Sequence, residues 1–136
     1  MATVEEILQF TNGAKLIIAV DTNCRSTTWY DVISNSRGRL LEEFLASNQL
    51  HLANQESERF TFENSRGSSN IDLTITNTQL LAEISYWEIS DEESCSDHNI
   101  LKYNLGITHH YNHKHSFQYL RYAVKETKLL ELTKMY

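Results

Sequence analysis

Five consecutive apolar residues, Leu16 to Val20, run directly into the polar triplet Asp21-Thr22-Asn23. An uninterrupted apolar run of strand length, bounded by turn residues, predicts a strand buried on both faces, and such strands lie centrally in α/β sheets. The run is far short of the roughly 20 apolar residues that a membrane span requires. It also delivers Asp21 and Asn23 to a C-terminal strand end, where α/β sheets open a crevice to ligands. A capping Asp and Asn in an ordinary strand-to-loop turn would use the same residues.

The remaining pattern alternates helices and strands. Val4, Ile7 and Leu8 sit at i, i+3 and i+4 and predict a short helix ending near Asn12-Gly13. Leu40, Leu41, Phe44 and Leu45 mark one face of a helix from Arg37 to Gln49, with Glu42 and Glu43 on the wet side and Asn48 at its end. The segments 51–54 (HLAN), 60–64 (FTFEN), 71–76 (IDLTIT), 84–90 (ISYWEIS) and 99–105 (NILKYNL) read as strands, with SRGSS as a turn. Trp87, between Ile84 and Ile89, predicts core or sheet packing, whereas Trp29 fits a core or a base-stacking role equally. The expected class is α/β with a mixed sheet.

A chain of 136 residues, 40% of them hydrophobic, fits one compact domain. The absence of proline argues against a linker and a second domain. The formal net charge of −6 disfavours nonspecific adhesion to nucleic acid or to an anionic membrane. Two cysteines, Cys24 and Cys95, are too few for a disulfide scaffold and fit an intracellular, reducing setting. Glu5 and Glu6 stand where a signal peptide would be basic, so no export signal is expected. Charge is uneven: residues 1–105 carry 7 basic and 16 acidic side chains, and residues 106–136 carry 5 and 2. That shift predicts a folded body over 1–105 and a basic, His-rich, partly helical tail over 106–136, with Val124, Leu129, Leu130 and Leu132 on the tail helix. HHYNHKH (109–115) reads as a polar segment rather than a Zn²⁺ or Ni²⁺ site, since no cysteine accompanies it.

Two further polar clusters lie at strand ends. Asp72 interrupts an apolar alternation, which is unfavourable unless its face is wet, as Thr74 and Thr76 suggest, or it has a partner. Ser96-Asp97-His98 follows the acidic stretch Asp91-Glu92-Glu93; Asp97 could ligate a hard cation and His98 could donate to a phosphate oxygen. Three carboxylates, an Asn and a His at the ends of separate strands suit metal-assisted phosphodiester hydrolysis. Arg37 and Arg39 are either phosphate contacts or solvated helix-start arginines.

AVDTN…W, RGRLLEEFL, FTF…SRGSSNIDLTITN and W…S…SDHN, in this order over residues 15–105, resemble the endonuclease/exonuclease/phosphatase superfamily. More closely they resemble the apurinic-type endonuclease domain of non-LTR retrotransposons, which nicks DNA to prime reverse transcription. RYAVKE (121–126) is similar to the segment that follows that domain. The resemblance implies half of a two-sheet sandwich with helices outside, and Mg²⁺ or Mn²⁺ as cofactor. It implies that Asp21 activates the attacking water and Asn23 contacts the scissile phosphate. Asp72 would orient His98, which steadies the phosphorane, and Asp97 would sit at the metal. Trp29 and Asn70 would lie on the DNA side.

The departures are Val20 in place of glycine, Cys24 in place of alanine and Phe60 in place of proline. Only fifteen residues precede the Leu16 strand, and neither Glu5 nor Glu6 takes the role of the family's metal-binding glutamate. Two outcomes are therefore expected to compete: an endonuclease fragment, or a catalytically inactive remnant that acts as an interaction module. An uncovered sheet face would invite a homodimer or a second chain. DNA is the expected partner if the site is active, no membrane is expected, and meeting chromosomal DNA implies nuclear access.

Overall fold

The structure, a computed structural model, describes residues 4–11 and 13–106. Helix α1 (Val4–Thr11) turns Ile7 and Leu8 onto the core, and Thr11 closes it by donating its hydroxyl to the Leu8 carbonyl at 2.9 Å. Gly13, at φ +80°, then reverses the chain into β1 (Ile17–Asp21). A single 3₁₀ turn (Thr27–Trp29) leads to α2 (Ser36–Ser47) and the short strand β2 (Leu50–Leu52). The hairpin β3 (Phe62–Asn64) and β4 (Gly67–Ser69) precedes β5 (Asp72–Asn77). A one-turn helix α3 (Thr78–Leu81) and the ladder β6 (Ile84–Ile89) and β7 (Leu101–Leu105) complete the described chain.

The central strand is not the one the sequence predicts. Among the described residues, β1 pairs only with β5, and β5 lies between β1 and β2, antiparallel to both. The strand–helix–strand unit β1–α2–β2 is therefore present, but β5 is inserted between its two strands. The faces of β5 also differ from expectation: Thr74 and Thr76 are fully buried rather than wet. Their hydroxyls have partners inside the fold, since Thr76 Oγ1 donates to the Leu16 carbonyl at 3.0 Å and Trp87 Nε1 donates to Thr74 Oγ1 at 2.9 Å. Burial of a hydroxyl costs little once it is bonded, so alternating threonines need not mark a solvent face.

The opposite face of β5 presents Leu73 and Ile75 to α2, where Leu45, Leu41 and Phe44 meet them with Leu16, Leu50 and Trp29. Leu40, expected on this apolar face, is 48% exposed, because Leu41 and Leu45 take the inward row. Glu42, expected in water, is half-buried and accepts the hydroxyls of Ser26 and Thr28. Asn35 caps α2 by accepting the Gly38 amide at 2.7 Å on its side chain. A second cluster joins Ala53, Trp87 and Ile89 to Leu101 and Tyr103. SRGSS proves to be half turn and half strand, with Glu63 opposite Ser68 and Asn64 opposite Gly67. The expected His-rich tail and its helix lie outside the described residues, apart from Gly106.

Candidate functional site

The antiparallel register of β1 and β5 sets Asp21 directly opposite Asp72. The chain then returns from β6, and an isolated bridge between Phe62 and His98 sets the histidine beside β3, within side-chain reach of Asp72 on β5. Ligand atoms of Asp21, Asp72 and His98 all fall within 4.8 Å of one another. Three segments separated by 51 and 26 positions thus converge at one sheet end.

His98 Nδ1 lies 3.1 and 3.0 Å from the two carboxylate oxygens of Asp72. A carboxylate only accepts, so Nδ1 carries the proton and Nε2 is the ring nitrogen that Asp72 does not engage. Phe62 presents its ring to the imidazole in a T-shaped contact, with centroids 5.0 Å apart at 69°. Partial burial pulls the imidazole pKa down, but the Asp72 hydrogen bond and the charges of Asp72, Asp21 and Asp97 outweigh it, and the pKa is raised. A raised folded-state value means that protonated His98 favours the fold. That contribution is complete below the ordinary histidine pKa and fades as pH rises through the folded value. Asp72→Asn should therefore cost more stability at pH 5.5 than at pH 8. Thermal unfolding across that window reads the difference, and a cost independent of pH would contradict the pairing.

Asp21 is exposed, and its Oδ1 accepts the Asn23 amide at 3.0 Å, while the Asn23 side-chain amide approaches Oδ2 at 3.4 Å. This Asx turn holds Asn23 at φ 50°, a left-handed conformation that asparagine tolerates well. Thr22 ties the turn down, its amide and hydroxyl both donating to the Ile71 carbonyl at 2.9 Å. Arg37 reaches back to the Thr22 carbonyl at 3.2 Å, so it serves this turn. Cys24 is buried behind it, and burial pushes its thiol up.

Not every residue expected at the site joins this group. Asp97 stands outside the 4.8 Å set; its carboxylate accepts from the Asn64 side chain at 3.1 Å and its carbonyl from the Glu63 amide. Trp29 is 1% exposed and donates its indole N–H to the Cys24 carbonyl, which leaves no ring face open to a base. Asn70 is also buried: its side chain accepts the Thr61 amide and donates to the Tyr30 carbonyl, and its own amide donates to Asp31. Both residues build the wall behind the site instead of its surface.

Three supporting residues carried no sequence signal of their own. Thr61 accepts the Ile71 and Asp72 amides. Asn54 grips β5 on either side of Leu73, donating to the Asp72 carbonyl and accepting the Thr74 amide. Asp31, buried, accepts from Arg25 and from the Asn70 amide.

This architecture, with an Asp–His pair at the end of an antiparallel sheet, is that of the endonuclease/exonuclease/phosphatase superfamily. The solved endonuclease domain of TRAS1, a telomere-specific non-LTR retrotransposon, superimposes with a TM-score of 0.68 at 27% identity, over 78% of this chain and 51% of that one. The chain belongs to the endonuclease-reverse transcriptase family, which residues 1–102 match. It is 32% identical over 107 residues to a putative 115 kDa protein in the type-1 retrotransposable element R1DM of Drosophila melanogaster, over 72% of this chain. It is 29% identical over 101 residues to the retrovirus-related Pol polyprotein from type-1 retrotransposable element R1 of Bradysia coprophila, over 68% of this chain. The chain spans about a tenth of the length of both relatives. Among the described residues no helix is long and apolar enough to cross a membrane.

Proposed function

We propose that this chain carries the Asp21, Asn23, Asp72 and His98 portion of a divalent-metal-dependent DNA endonuclease centre of a non-LTR retrotransposon. The observation that supports this best is the Asp72–His98 pair with Asp21 opposite it, three groups that no local turn would assemble. Asp72 orients the imidazole and keeps its proton on Nδ1, so that Nε2, once protonated, can donate to a phosphate oxygen. Asp21 is the exposed carboxylate able to take a proton from an attacking water, and Asn23 offers an amide to the phosphate.

The donor set fits a hard cation in kind: the Asp21 and Asp72 carboxylates would hold it, with Asp97 adding to the same negative field. Mg²⁺ or Mn²⁺ bound there would supply charge neutralisation for the phosphodiester. Two or three carboxylates fall short of the six ligands that Mg²⁺ takes, so substrate phosphates or a further protein segment complete the set.

The test is nicking of supercoiled plasmid with Mg²⁺ and with Mn²⁺ by the chain and by its Asp21→Ala and His98→Ala variants. The expected result is nicking that each variant lowers by about 10²-fold or more. No nicking, or nicking that survives both substitutions, would turn the reading to its alternative, an inactive remnant acting as a binding module. The net charge of −6, which opposes DNA, favours that alternative. A homodimer or second chain over the sheet is part of the proposal for the active form, and sedimentation during the nicking titration would show it. Nuclear access is likewise proposed from the role, and cell fractionation tests it.

A further inference from the structure

Thr61 occupies a fully buried position between the two halves of the Asp72–His98 pair. Its hydroxyl accepts the amides of Ile71 and Asp72, both at 3.0 Å, and donates to the Ser69 carbonyl at 3.4 Å. A hydroxyl has two acceptor sites and one proton, and all three are used here. The backbone of the same residue holds the other side. Its carbonyl accepts the amide of Asn99, the residue after His98, at 2.8 Å, and its amide donates to Asn70 Oδ1 at 2.9 Å. The next residue, Phe62, bridges to His98 in the sheet and lies edge-on against its ring. The segments bearing Asp72 and His98 share no other described strand ladder; β5 pairs with β1 and β2, whereas β7 pairs with β6.

We infer that Thr61 is the positioning residue of the Asp72–His98 pair: its hydroxyl sets the backbone of Asp72, its carbonyl sets the 98–99 segment, and Phe62 fixes the imidazole plane. Its importance for catalysis rests on the endonuclease reading above, but the geometry it controls exists without that reading. Removing the hydroxyl leaves the buried Ile71 amide and the part-buried Asp72 amide without this acceptor at the start of β5, and the Asp72 carboxylate moves relative to His98. Displacement by a fraction of an ångström is enough to weaken a three-centre hydrogen bond whose arms are already 3.0 and 3.1 Å.

The readout is the pair of His98 ring-nitrogen shifts in long-range proton–nitrogen correlation spectra at one fixed pH, which report the tautomer and the hydrogen bond at Nδ1. They are compared in the full chain, Thr61→Ser, Thr61→Val and Asp72→Asn. Thr61→Ser keeps the hydroxyl and should match the parent chain, although losing the methyl lowers its melting temperature. Thr61→Val should move both nitrogens toward the Asp72→Asn positions.

A role confined to stability would lower the melting temperature of Thr61→Val and leave the nitrogens in place, which overturns the inference. Should Thr61→Val not fold, Thr61→Ala takes its place: nitrogens displaced toward the Asp72→Asn positions support the inference, and unmoved nitrogens, or displaced ones in Thr61→Ser, refute it. Where the chain nicks plasmid, Thr61→Val should be about 10- to 100-fold slower and Thr61→Ser near the parent rate. A parent chain that does not nick would sink the endonuclease reading and leave the nitrogen comparison intact.

Discussion

Gly38→Ala is expected to unfold the body of this protein or to lower its unfolding free energy by about 3 kcal/mol or more. In an exposed helix the same exchange is favourable by roughly 0.5–1 kcal/mol, because alanine is the better helix former. Here an added Cβ would lie 2.0 Å from the Arg25 carbonyl oxygen and 2.8 Å from its carbon. Both are backbone atoms, and they cannot swing aside. The Arg25 carbonyl also accepts the Asn35 amide at 2.9 Å, so displacing it breaks the cap that starts α2. The cost therefore exceeds the about 1–3 kcal/mol of ordinary overpacking. Gly106→Ala is the control: its Cβ would meet the Glu83 carbonyl at 3.6 Å, an ordinary contact, and the midpoint should stay put. Urea unfolding of both variants provides the comparison, and a Gly38→Ala midpoint at or above that of the parent chain would refute the close approach.

Asp31→Ala should be the second severe lesion, at about 3 kcal/mol or more. The Asp31 side chain is 0% exposed and holds the Arg25 guanidinium through Nε at 2.9 Å and Nη2 at 2.7 Å. It also accepts the Asn70 amide at 2.9 Å and the Ile33 amide at 3.2 Å. Truncation leaves a partly buried cation and two amides without their acceptor, which costs far more than the loss of an ion pair in water. The Asp31 contact to Asn70 leads on through Thr61 to Asp72, so the damage should also reach the site. The exposed pair of Arg59 with Asp91 gives the contrast, and Asp91→Ala should unfold close to the parent midpoint. Equal midpoints for Asp31→Ala and Asp91→Ala would show that the buried network carries little.

The helices and strands were legible because their signals are local. Val4, Ile7 and Leu8 marked α1, the LIIAV run marked β1, and Asn48 ended α2 as expected. The group of Asp21, Asp72 and His98 was legible as a pattern, since each residue borders or interrupts an apolar strand segment. Trp29 was not legible: an indole beside a polar loop has the same sequence context whether it faces a base or the core. Leu40 and Glu42 exchanged their expected environments for a similar reason. Helical periodicity locates a face to within one residue, and the inward row was decided by where Gly38 lets the helix touch the Arg25 backbone.

By itself, then, the sequence determined the order of α1, β1, α2, β2, β3, β5, β6 and β7, though not β4 or α3, together with the family pattern and the identity of the polar residues at the strand ends. Periodicity and residue chemistry are written within a few neighbouring positions, so these features need no tertiary information. Only the tertiary structure decided that β5 rather than β1 is central, that Thr74 and Thr76 are buried, and that Asp31, Asn70 and Thr61 form one chain of contacts behind Asp72. Each of those outcomes depends on hydrogen bonds between segments distant in sequence. The free energy of burying a hydroxyl or a carboxylate is set by partners that no local spacing reveals.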